Sequence, residues 1–138
     1  MKLLNSNHKL WTLYVLSCQI AERNLGSSVP QFITSLTNTS TILGDNVTLE
    51  AEVEGFPEPQ IRWFKDGRML VVGGRITTEA SDNGNMNHLT CRLIIRNCQI
   101  EDAGAYVCAA TSASGTAISE ATVIVKGSNS FCFGYIWL

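Results

Sequence analysis

Two stretches decide how this chain folds: Gly55-Phe56-Pro57-Glu58-Pro59-Gln60-Ile61-Arg62-Trp63-Phe64-Lys65-Asp66-Gly67 and, further on, Asp102-Ala103-Gly104-Ala105-Tyr106-Val107-Cys108. In the first, Ile61 and Trp63 alternate with Arg62 and Phe64, which is the period of a strand with one face buried and one in water. Lys65-Asp66-Gly67 then supplies a turn, because glycine accepts a positive φ without steric cost. In the second, Tyr106 and Cys108, continued by Ala110, alternate with Val107 and Ala109. Working outward, Val47, Leu49, Ala51 and Val53 alternate with Thr48, Glu50, Glu52 and Glu54. Cys91, Leu93 and Ile95 alternate with Arg92 and Arg96, and Ala121, Val123 and Val125 with Thr122 and Ile124. Turn signals separate these runs at Gly73-Gly74, Asp82-Asn83-Gly84-Asn85 and Ser112-Ala113-Ser114-Gly115. Nowhere does an apolar pattern of helical period run longer than two turns. The chain reads as all-β, a two-sheet sandwich of seven or so short strands.

Composition agrees with a single domain. Of 138 residues 45% are hydrophobic and 16% charged, enough for one core. Ten Lys and Arg against twelve Asp and Glu give a net charge of -2, so no positive field is available for nucleic acid or an anionic membrane. Mean hydropathy is +0.09, yet no apolar run approaches the roughly 18 to 20 residues of a spanning helix. Gly26-Ser27-Ser28 and Gly127-Ser128-Asn129-Ser130 read as linkers. They divide the chain into residues 1–29, a disordered extension, residues 30–126, the domain, and residues 127–138, a tail. Within the extension, Leu10 to Ile20 follows Lys2 and Lys9 and has the form of a short secretory signal, although Thr12, Ser17 and Gln19 interrupt it.

The two opening stretches closely resemble an immunoglobulin domain of the intermediate set (I-set), a Greek-key sandwich. The resemblance spans Pro30 to Lys126. It adds Pro30-Gln31-Phe32 as a first strand, Leu43-Gly44-Asp45 before the second, and Gly115 to Val125 as the last. It implies that Trp63 is the core tryptophan, Tyr106 the tyrosine-corner residue and Cys108 the cysteine of the penultimate strand, with Leu93 and Ala51 in the same core. The physical reasons stand independently. An indole under both sheets buries a large apolar area, and a tyrosine can give its hydroxyl to backbone while its ring stays inside.

One departure is informative. The family's usual partner for Cys108 would lie at Ala51, where no disulfide is possible. Domains of intracellular muscle proteins look like this, with the remaining cysteine acting as a small core hydrophobe. Cys91 and Cys98 read as core packing, and Cys18 and Cys132 lie in the end segments. Five cysteines, none in a Cys-x-x-Cys pair, with only His8 and His88 to join them, do not make a zinc site. The sequons Asn38-Thr39-Ser40 and Asn46-Val47-Thr48 are about what the Asn, Ser and Thr content gives by chance, and no glycan is assigned.

No catalytic constellation is visible. His88 reads as a surface residue, Gly73-Gly74 lacks the Lys and Ser or Thr of a phosphate loop, and Asp102 reads as a structural partner for Arg75. Neither a cofactor, a metal nor a small-molecule substrate is expected, and binding of other proteins remains. Arg62, Phe64 and Lys65 from one strand, with Val107 and Ala109 from another, are expected on one outer face that could dock a partner. The resemblance is to domains of giant sarcomeric proteins such as titin, twitchin and obscurin. It implies a cytoplasmic, myofibrillar module that binds muscle filament proteins or neighbouring immunoglobulin domains. The alternative is a secreted or cell-surface adhesion or receptor module, favoured by the signal-like segment and the sequons.

Overall fold

The computed structural model describes residues 26–85 and 87–127; the segment Leu10 to Ile20 and the aromatic tail fall outside them. Nine strands form: β1 (Ser28–Thr34), β2 (Thr39–Ile42), β3 (Val47–Phe56), β4 (Gln60–Lys65), β5 (Arg68–Met69), β6 (Ile76–Ser81), β7 (His88–Ile95), β8 (Gly104–Ser112) and β9 (Gly115–Lys126), with one 3-10 turn at Ile100–Asp102. They make a four-stranded sheet in the order β1-β3-β7-β6 and a five-stranded sheet in the order β2-β9-β8-β4-β5. Every pairing is antiparallel except β2 with β9, which is parallel.

The alternation in the sequence becomes the two faces of the sheets. Along β3, Val47, Leu49, Ala51, Val53 and Gly55 are buried while the intervening residues face out. β7 lies antiparallel beside it with Leu49 opposite Leu93 and Ala51 opposite Cys91, so apolar side chains from both strands enter one layer. The facing layer comes from Trp63, Tyr106, Cys108, Ala110, Ala121 and Val123. Tyr106, Leu93, Cys91 and Cys108 are fully enclosed and Trp63 nearly so, at 6% exposure. Each large side chain so enclosed contributes about 1.5 to 3 kcal/mol of burial. Trp63, Leu93, Tyr106, Cys108 and Ala51 lie in one core cluster.

Three elements are ones that the sequence reading does not separate. The first strand region divides: β1 joins the four-stranded sheet, and after Leu36 turns inward the chain crosses to place β2 beside β9. The Leu36 amide donates to Ser119 Oγ at 2.8 Å and the Thr122 amide to Asn38 Oδ1 at 2.9 Å, which fixes the crossing. β5 is only two residues long, and β6 is an edge strand whose residues run from half-buried to exposed without alternation. Gly55, at the start of the first quoted stretch, sits in a tight place: a Cβ there would lie 3.0 Å from Pro59 Cγ and 3.2 Å from Pro30 Cα of the neighbouring strand, so either neighbour would have to shift.

If burial rather than sequence identity sets the cost, Leu93→Ala should lower unfolding free energy by about 3 kcal/mol and Ile118→Ala, on an exposed site, by less than about 0.5. Urea titration of the two variants checks this ordering.

Candidate protein-binding face

The second quoted stretch builds a corner at the end of the five-stranded sheet. The Tyr106 hydroxyl donates to the Asp102 carbonyl at 2.6 Å, four residues back, while its ring remains in the core. The Asp102 carboxylate is itself almost enclosed. It receives Arg75 Nη1 at 2.8 Å, Arg75 Nη2 at 3.3 Å and the Gln99 amide at 2.7 Å. Arg75 Nη1 also donates to the carbonyls of Arg96 and Asn97 at 3.1 and 3.0 Å. Burial alone would raise the Asp102 carboxyl, but the hydrogen bonds from Arg75 and Gln99 and the Arg75 charge outweigh it and hold the group below the ordinary carboxylate range. Burial, reinforced by the Asp102 charge, pushes the Tyr106 phenol up. The expected pairing of Asp102 with Arg75 is therefore present.

The two quoted stretches meet here. Asp66, at φ 49 in the turn after β4, donates its amide to the Ala105 carbonyl at 2.8 Å and accepts the Ala105 amide on Oδ1 at 2.9 Å. Its carboxylate occupies the space a side chain at residue 104 would need: a Cβ on Gly104, whose φ is 151, would lie 2.7 Å from both carboxylate oxygens. Glycine at 104 is thus the condition for the turn to seat against β8.

Lys65 is part of this corner and not of the outer face, which corrects the expectation. It follows Phe64 by one residue, so it points to the opposite side of β4. There its Nζ donates to the Glu101 carbonyl and lies 5.9 Å above the Tyr106 ring. Ala109 does point outward, but it sits between Arg62 and Ile118 in the cross-strand register and is only 9% exposed, so it adds little surface of its own.

What remains is a face in two cross-strand rows. Glu120, Val107, Phe64 and Met69 form one row across β9, β8, β4 and β5, and Ile118, Ala109 and Arg62 form the next. Met69 and Ile118 are the most open of the apolar members, at 62% and 65% exposure. These two residues were not anticipated, because each needs a strand pairing to place it beside Phe64 or Ala109. The face of the other sheet is polar and partly paired: Arg92 with Glu50, Thr34 with Glu52 at 2.8 Å, and His88 with Glu52 at 3.9 Å.

The core also holds an arrangement that Ala51 conceals. Cys91, the neighbour of Ala51 across β3 and β7, is enclosed in the same core as Cys108 of the facing sheet. Both are free thiols, as is Cys98. The contact with Cys91 and burial push the Cys108 thiol well above its ordinary range, so it stays protonated and inert. The absence of a cysteine at 51 therefore does not by itself remove every inter-sheet pair. No group of three His, Cys, Asp or Glu placed to hold a metal occurs among the described residues.

With this geometry in hand, comparison with known proteins is direct. The family model of the immunoglobulin I-set domain matches residues 30–125, and the chain belongs to that family. A titin homolog of Caenorhabditis elegans is 36% identical over 109 residues, covering 78% of this chain and 1% of its own length. The muscle M-line assembly protein unc-89 of the same organism is 35% identical over 96 residues, covering 68% of this chain and again 1% of its own. Among solved structures, a complex of titin M10 with an obscurin-like 1 immunoglobulin domain matches with a TM-score of 0.65 at 28% identity, over 71% of this chain and 94% of that one. The domain is thus similar to those of sarcomeric proteins, of which it spans a very small part.

Two measurements test the corner. Tyr106→Phe should cost about 1 to 2 kcal/mol, because it leaves the Asp102 carbonyl buried without its donor. The Asp102 pKa is lower folded than unfolded, where it is about 3.9, so its contribution is complete above that value and is lost as pH falls through the lower, folded one. Asp102→Asn should lower the melting temperature at neutral pH and flatten its decline below about pH 4; a variant curve parallel to the original would contradict the assignment.

Proposed function

We propose that this chain is a non-catalytic, protein-binding and spacing module of a muscle cytoskeletal protein, cytoplasmic and located in the myofibril. The observation that carries the binding role is the outer face of β5, β4, β8 and β9, where Met69 and Ile118 lie open beside the half-buried Phe64 and Val107. The muscle setting is supported by the relatives, a titin homolog and an M-line assembly protein. That a related titin domain is found in complex with another immunoglobulin domain supports protein partners of the same kind. Residues 30–126 carry this role as one folding unit, extended at its start by Ser28 and Val29, which begin β1, and residues 1–27 and 128–138 are dispensable.

A specific observation favours a second reading, a secreted or cell-surface module. Cys91 and Cys108 share one core from opposite sheets, and both sequon asparagines, Asn38 and Asn46, are exposed. Expression of the tagged chain in striated muscle cells separates the two. The cytoplasmic reading expects cross-striated bands and a product of unmodified mass. Delivery to the medium, with glycans at Asn38 or Asn46, would replace it with the second reading.

A further inference from the structure

We propose that the outer face of the five-stranded sheet pairs with the same face of a second copy of this chain, as a twofold-symmetric dimer. The proposal rests on the protein-binding reading above and names a partner for that face.

The reason lies in how charge and apolar surface are arranged. Glu120 on β9 and Arg62 on β4 occupy opposite corners of a four-cornered patch, and Ile118 on β9 and Phe64 on β4 occupy the other two. Val107 and Ala109 of β8 lie between them. Strands are about 4.8 Å apart and same-face residues about 7 Å apart along a strand, so the corners span roughly 10 by 7 Å. A twofold axis lying in the face along the Ile118 to Phe64 diagonal keeps these two residues against their own counterparts. It exchanges the other corners, so that Arg62 of each copy meets Glu120 of the other and Val107 meets Ala109. The mismatch of a rectangle so reflected is about 4 Å, which the lengths of arginine and glutamate side chains span. An isologous interface requires such self-complementarity.

Neither charge meets an opposite one among the described residues. Among the described residues Glu120 makes no ion pair or side-chain hydrogen bond, and Arg62 reaches only Gln60 Oε1, at 3.3 Å. On the opposite face, Glu50 is paired with Arg92 and Glu52 accepts from Thr34, whereas on this side an unpaired acid and an unpaired base lie on one patch. Met69 extends the apolar row to the sheet edge. The patch is only four strands wide, which puts it at the small end of specific interfaces. A weak, rapidly exchanging pair is therefore expected, strengthened wherever modules are held at high local concentration.

Sedimentation equilibrium of the full chain, from low-micromolar to submillimolar concentration, provides the test. The expected result is a reversible monomer-dimer equilibrium. Arg62→Glu, which sets like charges opposite each other, should weaken it by roughly tenfold or more, and Glu120→Arg added to that variant should restore it. Ile118→Asp, on the axis, should abolish it. The double charge exchange guards against misreading a folding defect, because both positions are exposed and the rescued chain must be folded. A chain monomeric throughout, or a dimer indifferent to the Arg62 and Glu120 exchange, would overturn the proposal. A monomeric chain that still incorporates into striated bands would refute the pairing while leaving the muscle reading intact.

Discussion

The packing of Trp63 and Tyr106 between the two sheets is the interaction on which the rest of the molecule depends. Immunoglobulin sandwiches commonly add a disulfide to this layer, worth about 2 to 5 kcal/mol in small domains. Here the three cysteines of the described core are free thiols, and the layer holds by burial and shape alone. Small residues make this possible: Ala51, Cys91, Cys108, Ala110 and Ala121 are all enclosed, and they leave room for the indole and phenol rings. Among the described residues Trp63 Nε1 has no hydrogen-bond partner, so the indole contributes here through its area and not its donor.

The corner converts that packing into a defined surface. Tyr106 ties β8 to the turn before it through the Asp102 carbonyl, and Asp102 ties that turn to Arg75 on the far sheet's connection. Asp66 then locks the end of β4 to the start of β8. Because β4 and β8 are held in register at one end, Phe64 must lie beside Val107 and Arg62 beside Ala109. The outer face is thus a consequence of interior geometry, and a change at Gly104 or Asp66 would disturb the face without touching it.

How much of this could be read in the sequence follows from burial. β3, β4, β7 and β8 show clean alternation because each has one face in the core, and the tyrosine corner with its Asp102 and Arg75 pair is legible because its residues lie in one short motif plus one arginine. β2, β5 and β6 are edge strands, where neither face is fully buried and the alternation fades. The grouping of Lys65 with Phe64 on the outer face fails because adjacent residues of a strand point to opposite sides, and Lys65 lies over Tyr106. Met69 and Ile118, and the approach of Cys91 to Cys108, depend on pairing between distant strands, which no local pattern encodes. Ala51 shows the same limit, since the missing cysteine is visible in sequence but its neighbour across the sheet is not.

The central claim is that packing, and not a covalent bridge, joins the sheets. Equilibrium unfolding in urea, run in parallel with and without a thiol reductant, measures this directly. The account predicts the same midpoint and the same slope in both buffers, because Cys91 and Cys108 are thiols in the folded state. A midpoint that falls substantially in reductant would show a bridge between the sheets and would contradict it.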